Sequence, residues 1–277
     1  MAKGIGLIGN FKGKVGNMVG YKLTASNTGN TQGVRVYQPI VKNPKTSAQA
    51  EQRAKLAPIN ATYRALKMVI DRGNEGLPYG NKSRLAWLKQ AFKAEDMPWF
   101  EKGAAVTAPV ACVLSKGSLT GVIFRPNVDG IEIQCSHVTD ETPLTTIGAV
   151  STALLGGYPQ LKNGDQLTFV SVSVDGDAIA TEIASIVLDE ASSVATEMFV
   201  ADSNKILVNA NVTEGGVAVI VSREGTNGEH LRSTTSLVLP DSVLAAAPYD
   251  SDSKAAAIKS YMSSAAVNAD WAEESIQ

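Results

Sequence analysis

The sequence predicts a mainly β protein: an antiparallel β-sandwich of jelly-roll or immunoglobulin-like type, with an N-terminal extended arm, a small helical unit and a C-terminal helix. Three observations predict it. Gly4, Gly6, Gly9, Gly13, Gly16 and Gly20 recur too closely for a helix, because each glycine costs about 1 kcal/mol there relative to alanine. Apolar residues then follow a helical period as far as about residue 100. Beyond Ala104 the period falls to two. The expected organisation is a basic extended arm over 1–45, a helical subdomain over 46–103, the sandwich over 104–240 and a helical tail over 241–277.

The arm has little core of its own, and a short strand-like piece is expected over Gly33–Ile40. Pro44 then discourages helical geometry before it, while Thr46 and Gln49 fit a capping box. From Ser47 to about Ile70 the residues Leu56, Ile59, Tyr63, Leu66 and Ile70 share one helical face. Pro58 is expected to kink or divide that helix. A second helix is expected over Ser83–Ala94, with Leu85, Leu88, Ala91 and Phe92 on its apolar side. In the sandwich, Ile131, Ile133 and Cys135 alternate with polar residues, as do Val170, Val172 and Val174 and then Val217, Val219 and Val221. Asp129-Gly130, Asn163-Gly164, Asp175-Gly176, Gly215-Gly216 and Asn227-Gly228 supply the turns. Eight to ten strands without intervening helices are expected up to Leu239. A last helix is expected over roughly Lys254–Val267, capped by Asp252 or Ser253.

Charge is distributed unevenly along the chain. The first fifty residues carry seven basic side chains and no acidic one; to Gly103 the count is 17 basic against 6 acidic. The remaining 174 residues hold 8 against 21, so a net of −2 conceals +11 followed by −13. Such asymmetry suits an interaction segment for polyanions or acidic protein surfaces. No apolar run long enough to span a membrane occurs, and no signal-peptide pattern opens the chain. The expectation is a cytoplasmic protein without a membrane partner.

Chemistry-bearing motifs are sparse. Gly4-Ile5-Gly6-Leu7-Ile8-Gly9 spells G-x-G-x-x-G, but no strand precedes it, no helix follows and no acid appears before Glu51. Gly13-Lys14 fails as a P-loop because Val15 stands where Ser or Thr is required. Two histidines, His137 and His230, and two cysteines, Cys112 and Cys135, lack the local spacing of zinc-ligand pairs. Cys112 and Cys135 are expected as buried thiols and His137 at a core edge. No catalytic residue, metal site or cofactor is expected.

The arm pairs cations with rings: Phe11 beside Lys12, Tyr21 beside Lys22, Arg35 near Tyr37. Single-stranded nucleic acid is held by that combination; the competing reading is that the rings anchor the arm on protein. The candidate binding residues are Lys3, Phe11, Lys12, Lys14, Tyr21, Lys22, Arg35, Tyr37, Lys42 and Lys45.

The run Gly9-Asn10-Phe11-Lys12-Gly13-Lys14-Val15-Gly16-Asn17 is similar to the G-x-F-x-G-K-V-G-N start of an uncharacterised domain family of Bacteroidota and their phages. The later Asn43-Pro44-Lys45-Thr46 and Gln49…Gln52-Arg53 resemble its N-P-[RK]-T turn and Gln/Arg-rich helix. The likeness covers about the first 60 residues. It implies a basic segment, a helix and a variable β-rich region in a phage or bacterial setting, and it names no catalytic residue. The expected function is a non-enzymatic structural protein that self-assembles, a phage shell or capsid subunit found in the virion and assembled in the bacterial cytoplasm. Its expected partners are copies of itself and single-stranded nucleic acid. The rival expectation is a monomeric bacterial or phage accessory module that binds a protein or glycan through sandwich loops.

Overall fold

The computed structural model describes residues 13–22, 32–37, 46–128, 130–176, 178–212, 215–226 and 228–263. The chain divides into two compact units, Met1–Pro44 and Lys45–Gln277.

In the first unit β1 (Gly13–Val15), β2 (Met18–Lys22) and β3 (Gln32–Val36) form an antiparallel sheet in that order. Two residues, Gly16 and Asn17, join β1 to β2, and Gly16 has φ +57°. A two-residue hairpin needs positive φ in its turn, which glycine adopts without steric cost. The register sets Lys14 opposite Val19, and Val19 opposite Arg35. The short strand-like pieces expected in the arm thus pair with one another and satisfy each other's backbone groups.

The second unit begins with α1 (Ser47–Ala65), α2 (Lys67–Ile70) and α3 (Asn81–Ala91). Thr46 caps α1 by accepting from the Gln49 N–H at 3.3 Å. Gln49 Oε1 is buried with no partner among the described residues, so the reciprocal half of the capping box is unmade. The helix runs through Pro58 and breaks at Leu66 instead.

Strands follow: β4 (Val113–Ser115), β5 (Phe124–Asn127) and β6 (Gly130–Gln134), then the helix α4 (Ile147–Gly157). Next come β7 (Gln166–Asp175), β8 (Ala178–Val187), β9 (Phe199–Asp202), β10 (Lys205–Asn209), β11 (Gly216–Glu224), β12 (His230–Arg232) and β13 (Thr235–Ser236). The described residues end with α5 (Asp241–Leu244) and α6 (Ser251–Ser263). The Asp250 carboxylate caps α6 by accepting from the Ser253 N–H at 2.6 Å, in place of the expected Asp252 or Ser253. The expected continuation of that helix to Val267 lies outside the described residues.

The described residues form four antiparallel sheets: β1-β2-β3, β5-β6-β10-β9, β12-β11-β7-β8 and β13-β4. None closes into a barrel. The protein is therefore β-rich and antiparallel, with helices. Two cores explain its layering. In the first, Ile131 and Ile133 of β6, Ile206 and Val208 of β10, and Val150 and Leu154 of α4 pack with Leu167, Phe169, Val217, Val219 and Val221. In the second, Val170, Val172, Ala218 and Ile220 meet Ile59, Leu66, Ile70 and Trp87 of the helical segment. Odd positions of β7 and β11 therefore serve one core and even positions the other. A strand covered on both faces reads as a continuous apolar run, which is what Val217–Val221 is.

The helix α4 corrects the expectation of strands without intervening helices. It is apolar almost all round and buried in the first core, so no polar stripe reveals its period. Thr146 caps it, accepting from the Ala149 N–H at 3.2 Å.

Candidate assembly interface

Strand β8 forms an unfinished edge. It pairs with β7 without a bulge over ten residues, from Gln166 opposite Val187 to Asp175 opposite Ala178. Among the described residues no strand lies on its other side, and no hydrogen bond besides those to β7 reaches it. Edge strands are normally protected by shortness, by lysine, by proline or by a bulge. β8 has none of these, although α1 packs against part of it, and Glu182 is its one charged residue. Ile183 and Val187 are 41% and 53% exposed, and the Thr181 hydroxyl is buried with no partner among the described residues. The other edges differ. β12 has three residues, β9 has four, and β5 carries Arg125 and Pro126.

Among the described residues the arm sheet has two open edges, β1 and β3. Lys14, Arg35 and Tyr37 are exposed, and Lys14 Nζ stands 3.6 Å from the Tyr37 ring centroid, a cation–π contact. The register brings Lys14 and Arg35 to either side of Val19 on one face. Tyr21 and Lys22 lie on β2 opposite Gly33 and Gln32. Lys3, Phe11, Lys12, Lys42 and Lys45 lie outside the described residues.

Elsewhere the chemistry is quiet. Both cysteines are buried free thiols. Burial pushes the Cys112 thiol up to about 12 and raises Cys135, whose Sγ donates to the Ala153 carbonyl at 3.2 Å. A thiol held protonated is a poor nucleophile. His137 is exposed, contrary to the expected core edge, and its ring lies against Gly156, where a Cβ would come within 3.2 Å. Among the described residues no three His, Cys, Asp or Glu side chains group as metal ligands. No described helix is long and apolar enough to cross a membrane. A cleft of about 320 Å³ opens between β5, β6 and the β9–β10 turn, lined by Phe124, Arg125, Gln134 and the Lys205–Glu132 ion pair at 3.3 Å.

Sequence reading missed a set of cation–ring contacts in the second unit. Arg72 lies over Tyr79 at 5.4 Å, Arg84 over Tyr63 at 4.7 Å and Lys254 over Trp99 at 5.1 Å. Their partners are distant in sequence or separated by a turn, so no local spacing marks them. No protein-family model, curated protein or solved structure matches the chain.

Proposed function

We propose that the chain is a non-enzymatic structural protein that self-assembles, a phage virion shell subunit built on a β-sandwich of jelly-roll or immunoglobulin-like type. The open edge of β8 carries this reading. A ten-residue strand with no strand paired on one side among the described residues offers backbone donors and acceptors, and an added strand satisfies them. The occupant is the arm of the next copy, through β1 or β3. Charge complementarity supports that choice: Lys14 and Arg35 meet Glu182 and an acid-rich partner. Such a contact joins unlike surfaces and repeats head to tail, closing into a ring or shell when the rotation permits.

A second reading is favoured by the polar cleft at Arg125, Gln134 and Lys205, which suits a monomeric accessory module that binds a protein or glycan. Light scattering on the eluting protein separates the two. The shell reading expects assemblies larger than a 29.1 kDa monomer, reduced to monomer by Ile183→Lys and by deletion of residues 1–45. A wild-type monomer at high concentration would exclude it. Assemblies indifferent to Ile183→Lys would keep self-association and discard β8 as its seat.

A further inference from the structure

The sheet β5-β6-β10-β9 turns Ile131, Ile133, Ile206 and Val208 into the first core, so by strand alternation Glu132, Gln134 and Lys205 stand on its other face. Arg125 lies opposite Glu132, and Lys205 opposite Gln134. Just before β5 the ladder is made partly through a side chain. The Gln134 N–H donates to the Ile123 carbonyl at 3.1 Å, while the buried Tyr158 hydroxyl accepts from the Ile123 N–H at 3.1 Å and donates to the Gln134 carbonyl. Ile123 is thereby fixed at the rim of the cleft of about 320 Å³ and is 58% exposed.

The β9–β10 turn forms another wall. Asn204 has φ +61°, the one positive value outside glycine among the described residues, and asparagine enters that region more readily than most side chains. Its N–H donates to the Val138 carbonyl at 3.0 Å, and its carbonyl accepts from the Cys135 N–H at 2.7 Å. Ser203 Oγ donates to Asp140 Oδ1 at 2.7 Å. The turn is thus clamped to the segment after β6, and Asn204 lines the cleft. Among the described residues no hydrogen bond reaches the side-chain amides of Asn204 and Gln134 or the Arg125 guanidinium, and no carboxylate lies within 4 Å of Arg125. Lys205, by contrast, is matched by Glu132 at 3.3 Å. The lining therefore offers one unmatched cation, two planar amides and the apolar side chains of Ile123 and Phe124.

On the second reading above, in which this cleft recognises a ligand, we propose that it takes an acidic sugar, a pyranose ring bearing one carboxylate. The guanidinium fork of Arg125 matches a carboxylate pairwise. Each amide, at Gln134 and Asn204, presents both a donor and an acceptor, as sugar hydroxyls require. Ile123 and Phe124 meet the C–H face of the ring. A volume of about 320 Å³ lies at the small end of ligand pockets, about 300–1,000 Å³, and so suits a sugar unit.

Ligand-observed NMR titration of the full chain with D-glucuronate, D-glucose and acetate tests the assignment. Glucuronate should bind at least about tenfold more tightly than either of the others, because only it meets both the guanidinium and the amides. Arg125→Gln should bring glucuronate down to the level of glucose. Asn204→Gly should weaken glucuronate by about fivefold; glycine keeps the positive φ of the turn without steric cost, so the loss belongs to the amide. Arg53→Gln, on the exposed side of α1, should change nothing. Thermal midpoints of the three variants should match the wild type, which separates lost binding from lost folding. Glucose binding as tightly as glucuronate, and weakened in Asn204→Gly, would keep a sugar cleft and overturn its acidic class. Acetate binding as tightly as glucuronate would overturn the sugar. Binding of none of the three, or glucuronate binding indifferent to Arg125→Gln, would overturn the site, whereas the accessory-module reading itself stands or falls on the light-scattering result.

Discussion

Asp165 is 1% exposed, and Arg223 grips it with two donors: Nε to Oδ1 at 2.6 Å and Nη2 to Oδ2 at 2.7 Å. The same carboxylate accepts from the Lys162 N–H at 2.8 Å, and Arg223 also donates to the Gln160 carbonyl at 3.0 Å. The pair ties the turn before β7 to the end of β11, the two strands shared by both cores. Removing one partner of such a pair strands the other charge, a loss of about 3–5 kcal/mol. Asp165→Ala should therefore destabilise by that amount in urea titration, whereas Asp165→Ala with Arg223→Ala should recover part of the loss. Additive losses would show that the two residues do not act together. Nothing local in the sequence announces this pair, because its members lie 58 residues apart. The buried thiols, by contrast, were legible, since a cysteine without ligand spacing defaults to a small apolar side chain.

Among the elements, turns were read more readily than helix faces. Gly164, Gly176 and Gly228 adopt positive φ where the sequence placed turns, for the requirement lies within two residues. Helix faces depend on neighbours. Leu56 and Leu85, assigned to apolar faces, are 39% and 50% exposed, while Ala54, Thr62, Ser83 and Trp87 are buried. Ala50, Ala54, Pro58 and Thr62 make the close-packed side of α1, and Thr62 Oγ1 accepts from the Val110 N–H at 3.0 Å. On α3 the stripe is Ser83, Trp87 and Ala91, with the Ser83 hydroxyl donating to the Ile70 carbonyl at 2.8 Å. A polar residue with a buried partner counts as interior, which periodicity of large aliphatics cannot register. Trp87→Ala should cost about 3–5 kcal/mol through the cavity it leaves, and Leu85→Ala should stay within about 0.5 kcal/mol. Equal effects in chemical denaturation would contradict this assignment of faces.

At the scale of the molecule, the change of hydropathy period near residue 104 marks a change of secondary structure within one compact unit, because helices and strands share the second core. Strand order was not legible: β6 pairs with β10 and β7 with β11 across long stretches of chain, and such pairing follows from packing rather than local pattern. The charge gradient was legible, and it bears on how copies would meet. If the acid-free arm adds to β8 of a neighbour, two forces act at different stages. Long-range attraction steers the encounter and is screened beyond about 8 Å at physiological salt. Strand hydrogen bonds, formed after contact, hold the complex and are much less sensitive to salt. Raising sodium chloride from about 0.05 to 0.5 M, several-fold shortening the screening length, should slow association markedly while preformed assemblies persist. Light-scattering kinetics after dilution into each salt would measure both. Dissolution of preformed assemblies by salt would make the contact electrostatic alone, and a salt-independent association rate would remove the charge gradient from the account of assembly.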